Sequence, residues 1–218
     1  MELQLHYKGK DYEKVKEIVV KAYDDIRVCF KDKLESLIIY VHKNRKEFDK
    51  KINCKTKLWH IASASNGKID IIHFNAYEKE TSHKKEDFLP TLKHEIAHLF
   101  IDKLAKGNAI PRWFNEGLAS LVSKQHESIK HSICIEENFC EKLGTSKGWD
   151  YYSDYSAYDT ASLFVNFLEE KYTLNKVINL FSKLDKNYYY PNFETIFSNI
   201  FGETLKNLEK EFVDKINE

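Results

Sequence analysis

The chain has 218 residues, of which 31% are charged and 42% hydrophobic, the proportions of a globular protein that can bury a full core. Its 34 basic and 34 acidic residues balance, and only three of the basic residues are arginines. A neutral chain with few arginines and no long basic block argues against nucleic acid or an anionic membrane as its partner. No secretory segment follows Met1 and no apolar run approaches membrane-spanning length, so we expect a cytoplasmic protein.

Patterns of helix and strand alternate in the first third of the chain. Apolar residues at helical spacing predict a helix over residues 11–31, and Ser36–His42 is a β-branched and aromatic run of strand length. A short helix is predicted over Asn44–Ile52. Two more strands, joined by a Ser-Asn-Gly turn, are predicted after it: Lys57–Ala64 and Lys68–Phe74.

The most informative segment is His94-Glu95-Ile96-Ala97-His98. It falls within a helical pattern that has Pro90 in its first turn and stops at Gly107. Positions i and i+4 lie on one face of a helix, so His94 and His98 can direct two imidazoles at one cation. Glu95, the next residue along, could act on a water bound to that cation.

Glu116, eighteen positions after His98, could supply a third ligand. It falls in a helix predicted to start at Pro111, beside apolar residues such as Trp113 and Leu118, where a carboxylate needs a partner. Three protein ligands with an open fourth position are typical of a catalytic zinc site. A structural zinc site usually closes that position with cysteine or histidine.

Strand patterns nearly vanish after residue 105. Five helices are predicted there: 111–125, 155–172, 174–184, 191–201 and 203–217. Residues 127–154 carry the weakest pattern and an aromatic cluster, as binding loops often do. We therefore predict an α+β fold. A lobe with a small mixed sheet (residues 1–105) ends in the HExxH helix and packs on a helical lobe (residues 106–218), with the active-site cleft between them.

Two stretches, Leu89–His98 and Ile110–Ala119, resemble the gluzincin zinc metallopeptidases, the thermolysin-like clan in which a downstream glutamate completes the HExxH motif. More narrowly, the chain resembles the short bacterial peptidase MA-like domains. The likeness extends less specifically to Tyr158–Leu168 and Phe193–Phe212, whereas residues 1–55 carry no motif of the family.

The resemblance implies that His94, His98 and Glu116 bind Zn2+ and that Glu95 is the general base. It also implies a second group that stabilises the oxyanion. Tyr158 is the first candidate for that role, and three other residues could replace it: Tyr155, His126 and His131.

The family also holds its substrate against an edge strand before the HExxH helix, which here would be Lys68–Phe74. Asn75 and Ala76, which follow that strand, are similar to the residues that thermolysin-like enzymes use to bind a peptide. One departure from the family is Ser120, where many gluzincins have an aspartate that supports a zinc-bound histidine.

The function implied is a zinc-dependent peptidase that hydrolyses a peptide or protein substrate through a metal-activated water. The alternative is a non-catalytic module of the same fold that binds a protein partner. The presence of Glu95 favours the enzyme, because a binding module has no use for a general base.

Overall fold

The computed structural model describes residues 1–129, 138–152, 156–184 and 190–217. The α+β class predicted from the sequence is confirmed, since these residues form a four-stranded mixed sheet and eleven α-helices. Backbone contacts divide the chain into two compact units, Met1–Phe100 and Ile101–Glu218. The predicted lobe boundary after residue 105 and the predicted cleft stay predictions. Within the ranges given, no helix is both long and apolar enough to cross a membrane.

The first unit contains the whole sheet. Its strands are β1 (Glu2–His6), β2 (Ser36–His42), β3 (Ala62–Ser65) and β4 (Lys68–Ile72). Its helices are α1 (Tyr12–Phe30), α2 (Arg45–Ile52), α3 (Tyr77–Glu80) and most of α4 (Phe88–Ala105). The strand order is β1-β2-β4-β3, with β1, β2 and β4 parallel and β3 antiparallel to β4. β1 and β3 are therefore the two edges.

The local sequence explains these connections. Parallel neighbours need a crossover, and α1 supplies one between β1 and β2. One stripe of α1 is fully buried, with apolar residues three or four positions apart: Val15, Val19, Ala22 and Ile26. The hairpin between β3 and β4 turns at Asn66 and Gly67, whose φ angles of 50° and 72° are those of a two-residue turn that matches the twist of the strands.

Three segments of the first unit differ from the sequence-based prediction. β1 was not predicted, because its apolar side chains Leu3 and Leu5 are only half-buried at the sheet edge. Residues 57–61 form a turn before β3 rather than the first half of a strand. β4 ends at Ile72, since Phe74–Ala76 wind into a 3-10 helix.

The second unit is helical. Its described residues form the end of α4 and seven further helices: α5 (Arg112–Ser123), α6 (Phe139–Lys142), α7 (Ser146–Tyr152), α8 (Ala157–Tyr172), α9 (Leu174–Asn179), α10 (Tyr190–Phe201) and α11 (Leu205–Asn217). α6 and α7 lie within the stretch for which the sequence predicted a loop. Helices of four and seven residues are too short to show a clear period in the sequence.

α5 and α8 approach each other closely at Gly117. A Cβ atom at this position would lie 2.4 Å from the carbonyl oxygen of Ala161 and 2.6 Å from Cγ2 of Val165. Only glycine fits so near a backbone oxygen. Gly117 therefore lets α5 and α8 pack closely together. The residue before it, Glu116, lies near enough to Tyr158 on α8 for its charge to raise the pKa of the Tyr158 hydroxyl.

Candidate metal centre

The HExxH segment lies in the middle of α4, a helix that is apolar around most of its circumference and buried accordingly. His94 and Glu95 are polar exceptions, with only 7% and 8% of their surfaces exposed. Burying a polar or charged side chain costs free energy unless it has a partner. Two adjacent, buried polar residues in such a helix therefore indicate a functional site rather than a solvent-exposed face of the helix.

The three predicted ligands lie together. Nε2 of His94 is 3.0 Å from Nε2 of His98, and the two rings meet edge to face with centroids 4.7 Å apart. Glu116 is only 5% exposed. One ligand atom from each of the three residues lies within 4.8 Å of the other two, so the group could hold a metal ion.

The donor set fits zinc. Two nitrogens bound tetrahedrally to one zinc at the usual bond length are about 3.3 Å apart, so the observed separation of 3.0 Å requires only a small adjustment. Two histidines and one carboxylate form the ligand set of catalytic zinc sites that keep a fourth position open.

Arg112, which the sequence analysis did not single out, contacts the predicted carboxylate ligand. Its Nε lies 2.8 Å from Oε1 of Glu116, one helical turn further along α5, as an ion pair without an aligned N–H bond. The guanidinium also lies over the ring of Trp149, 5.6 Å from its centroid. The spacing of four residues between Arg112 and Glu116 is a signal that the sequence does contain.

Tyr158 interacts with the same group of residues. Its ring meets that of Trp149 edge to face at 4.8 Å. Burial, and then the charge of Glu116, raise the pKa of the Tyr158 hydroxyl to about 12, although contacts with Trp149 and Arg112 act in the opposite direction. The hydroxyl therefore keeps its proton at neutral pH and can act as a hydrogen-bond donor.

Glu95 has two titratable neighbours that the sequence did not reveal. Burial lowers the pKa of His60, whereas the charge of Glu95 raises it by a smaller amount. Tyr77 is fully buried, and burial, followed by the charges of Asp87 and Glu95, raises the pKa of its hydroxyl well above the ordinary value. Both effects place the negative charge of Glu95 near these two side chains.

The predicted substrate-binding residues, Asn75 and Ala76, lie in the 3-10 helix after β4. The backbone N–H groups of both donate to His73, to its Nδ1 at 3.1 Å and to its carbonyl oxygen at 2.9 Å. The expectation that the preceding strand is a sheet edge is wrong, because β4 lies between β2 and β3. Whether Asn75 and Ala76 bind substrate stays a prediction.

The alternatives to Tyr158 are placed as follows. His126 is half-buried in the 3-10 helix Gln125–Ser128, directly after α5. His131 and Tyr155 lie outside the described residues. Ser120, the departure from the family pattern, is buried on α5, with 4% of its surface exposed.

No protein-family model matches this chain, and no curated protein matches it either. The assignment of a function therefore depends on the residues themselves and on the geometry described above.

Proposed function

We propose that the protein is a zinc-dependent peptidase. The observation that carries the proposal is the close grouping of His94, His98 and Glu116, with Glu95 adjacent to the first histidine. Zinc held by these three residues would lower the pKa of a bound water to roughly 7 and polarise the carbonyl of a peptide bond.

Glu95 supplies the proton transfer in this proposal. Its carboxylate takes a proton from the attacking water and passes it to the nitrogen of the leaving amine, so that the peptide bond breaks without a free hydroxide or an anionic amine. The predominantly apolar surroundings of α4 support this role, because a carboxylate shielded from bulk water interacts more strongly with a nearby proton donor.

Tyr158 is the proposed donor to the oxygen of the carbonyl as it becomes negative. Its raised pKa keeps the proton on the hydroxyl, and its ring packs edge to face on Trp149, near enough to Glu116 for the carboxylate charge to act on the hydroxyl. A donor that is already oriented needs no reorganisation during the reaction, which is why such groups lower the barrier.

The sheet suggests where an extended peptide would bind. Among the described residues β3 pairs only with β4, so the backbone groups of its other side can pair with an added strand. The substrate is thus proposed to be a peptide or an unfolded segment of a protein, bound along β3.

The proposal is tested by metal content and hydrolysis together. Protein purified without chelators should contain zinc, and His94→Ala and His98→Ala should lose it, while the exposed His6→Ala should retain it as a control. Glu95→Gln should keep the metal but lower the rate of hydrolysis of an unstructured peptide by about 10²–10⁴-fold. Wild-type protein without metal, or full activity of Glu95→Gln, would show the proposal to be wrong.

The same pair of measurements distinguishes the alternative, a non-catalytic module that binds a protein partner. Such a module would bind zinc or a peptide without any hydrolysis that depends on Glu95.

A further inference from the structure

Two apolar side chains, Leu58 and Trp59, are exposed in the turn before β3. The N–H of His60 donates to the carbonyl of Lys57 at 3.0 Å, which places Leu58 and Trp59 at the two central positions of a β-turn. Their exposed fractions are 61% and 38%. Large apolar side chains exposed side by side often mark a contact surface.

The backbone of this turn is held by hydrogen bonds from one arginine side chain. Arg45 donates from Nη1 to the carbonyls of Lys57 at 2.9 Å and His60 at 3.1 Å, and from Nη2 to the carbonyl of Leu58 at 3.0 Å. Its Nε donates to the carbonyl of Glu80 at 2.9 Å, which anchors the guanidinium to the end of α3. All three guanidinium nitrogens of Arg45 therefore donate hydrogen bonds within the protein, so this residue has a structural role.

The segment after α3 completes the support. Nε2 of His83 donates to the carbonyl of Trp59 at 2.9 Å, and the N–H of Ser82 donates to the carbonyl of Leu58 at 3.2 Å. All four successive carbonyls of the turn, from residue 57 to residue 60, are therefore bound. A turn held in this way presents its side chains without the entropy cost of ordering them when a ligand arrives.

The turn lies beside the two features that the proposed peptidase needs. It leads through the buried Ile61 directly into the edge strand β3. His60, its last residue, is close enough to Glu95 for the carboxylate to act on its pKa, although burial has the larger, opposite effect. A peptide along β3 would thus pass both the turn and the proposed general base.

We propose that Leu58 and Trp59 form a preformed contact for one large apolar side chain of a peptide bound along β3, so that the enzyme prefers substrates with an aromatic or aliphatic residue near the bond it cleaves. This inference rests on the proposed function and names its substrate class. Two side chains offer far less surface than the roughly 800 Å² per partner of a stable protein–protein interface, but they match one substrate side chain.

Trp59 allows the contact to be measured without catalysis. The chain has three tryptophans, and the other two, Trp113 and Trp149, are 0% and 1% exposed. Quenching of tryptophan fluorescence by acrylamide therefore reports mainly on Trp59. The probe is an unstructured ten-residue peptide with one central phenylalanine, compared with the same peptide carrying serine there.

Binding is measured with the full chain as Glu95→Gln, so that the peptide stays intact. We expect the phenylalanine peptide to protect Trp59 from acrylamide and to bind about tenfold more tightly than the serine peptide. Leu58→Ser should abolish this preference. Val28→Ser is the matched control, because Val28 is 67% exposed on α1 and should leave the preference unchanged.

Equal affinities for the two peptides, or unchanged quenching, would overturn the inference. So would a dimer of the chain that Leu58→Ser dissociates, since the turn would then be a contact between two copies.

Hydrolysis by the wild-type protein separates the two proposals. If neither peptide is cleaved but Trp59 is still protected, only the peptidase proposal fails. If both are cleaved with the same kcat/KM, only the proposed apolar contact fails.

Discussion

Arg112 is the residue that acts most directly on a predicted ligand. The Nε atom of its guanidinium lies 2.8 Å from Oε1 of the Glu116 carboxylate, which is a predicted metal ligand. The arginine is itself held against the ring of Trp149, so its position does not depend on the metal. Partners of this kind orient a ligand, and their loss usually weakens metal binding even though they never touch the metal.

We predict that Arg112→Gln lowers the affinity for Zn2+ by about 10–100-fold, because the carboxylate of Glu116 loses its orientation. Arg112→Lys keeps the charge but not the planar group of donors, and should give an intermediate value. Competition with a zinc-binding dye measures both. If Arg112→Gln bound zinc as tightly as the wild type, the arginine would not orient the ligand, and tighter binding would mean that it only repels the metal ion.

Single residues also show what the sequence can and cannot reveal. The spacing of four residues was sufficient to pair His94 with His98, because residues four apart on a helix share a face. Glu116 lies on another helix and was selected because a carboxylate among apolar residues needs a partner. The contact between Arg112 and Glu116 follows from the same spacing and could have been predicted. The proximity of His60 to Glu95 could not, since 35 residues and two strands separate them and only the tertiary fold brings them together.

The 3-10 helix Phe74–Ala76 is capped at its start by a titratable side chain, that of His73. Nδ1 of His73 accepts the N–H of Asn75, so this nitrogen carries no proton in the folded state. The other groups that face the imidazole are Asp11, whose Oδ2 lies 3.1 Å from Nε2, the stacked ring of Tyr7 and the charge of Lys14. Burial lowers the pKa of His73, and Asp11 acts against this with a smaller effect.

A lowered pKa in the folded state means that His73 contributes stability above its ordinary pKa of 6.5 and that this contribution is lost as the pH falls through the folded value. We predict that His73→Asn, which can still cap the helix but does not titrate, loses less stability than the wild type between pH 7 and pH 5. Urea unfolding at each pH measures the difference, and any parallel contribution from His60 cancels in the comparison. Identical pH profiles would contradict the prediction.

The packing of α5 on α8 can be tested by a substitution at Gly117, where the two helices meet. Gly117→Ala should destabilise the protein by about 1–3 kcal/mol, because the added methyl group meets the rigid carbonyl of Ala161 rather than a movable side chain. The higher helix propensity of alanine, worth about 1 kcal/mol, offsets only part of this cost. Thermal unfolding measures the effect.

Gly107→Ala serves as the control for the Gly117 variant. A Cβ atom at Gly107 would meet no neighbour, but its φ of 76° makes any other residue strained by roughly 1–2 kcal/mol. A loss of stability at Gly117 smaller than about 1 kcal/mol, with unchanged zinc binding, would mean that α5 and α8 can separate easily.

The sequence predicted some helices and strands better than others, and the difference has a physical reason. β2 was predicted with its observed bounds, because Ser36–His42 is a run of β-branched and aromatic residues of strand length. β1 has only five residues, and its two leucines alternate with polar residues, so it contains no comparable apolar run and was missed. The turn at residues 57–60 was predicted as strand since its apolar and aromatic residues are typical of strands, whereas its conformation is fixed by Arg45 from elsewhere in the chain.

For the whole molecule, the placement of the predicted ligands on both α4 and α5 links metal binding to folding. A chain that unfolds separates His98 from Glu116 and loses the site, so zinc should stabilise the folded state by mass action. Free zinc at a hundred times its dissociation constant contributes about 2.7 kcal/mol. For a protein of this size, that corresponds to a rise in Tm of roughly 5–10 °C.

We therefore predict that a chelator lowers the Tm of the wild-type protein by about this amount and that added zinc restores it. His98→Ala, which removes a ligand, should have the same Tm with and without zinc, whereas Glu95→Gln should respond to zinc as the wild type does. Scanning calorimetry measures all three proteins. A Tm of the wild type that does not change with zinc would mean that the three residues do not hold a metal, whatever their distances.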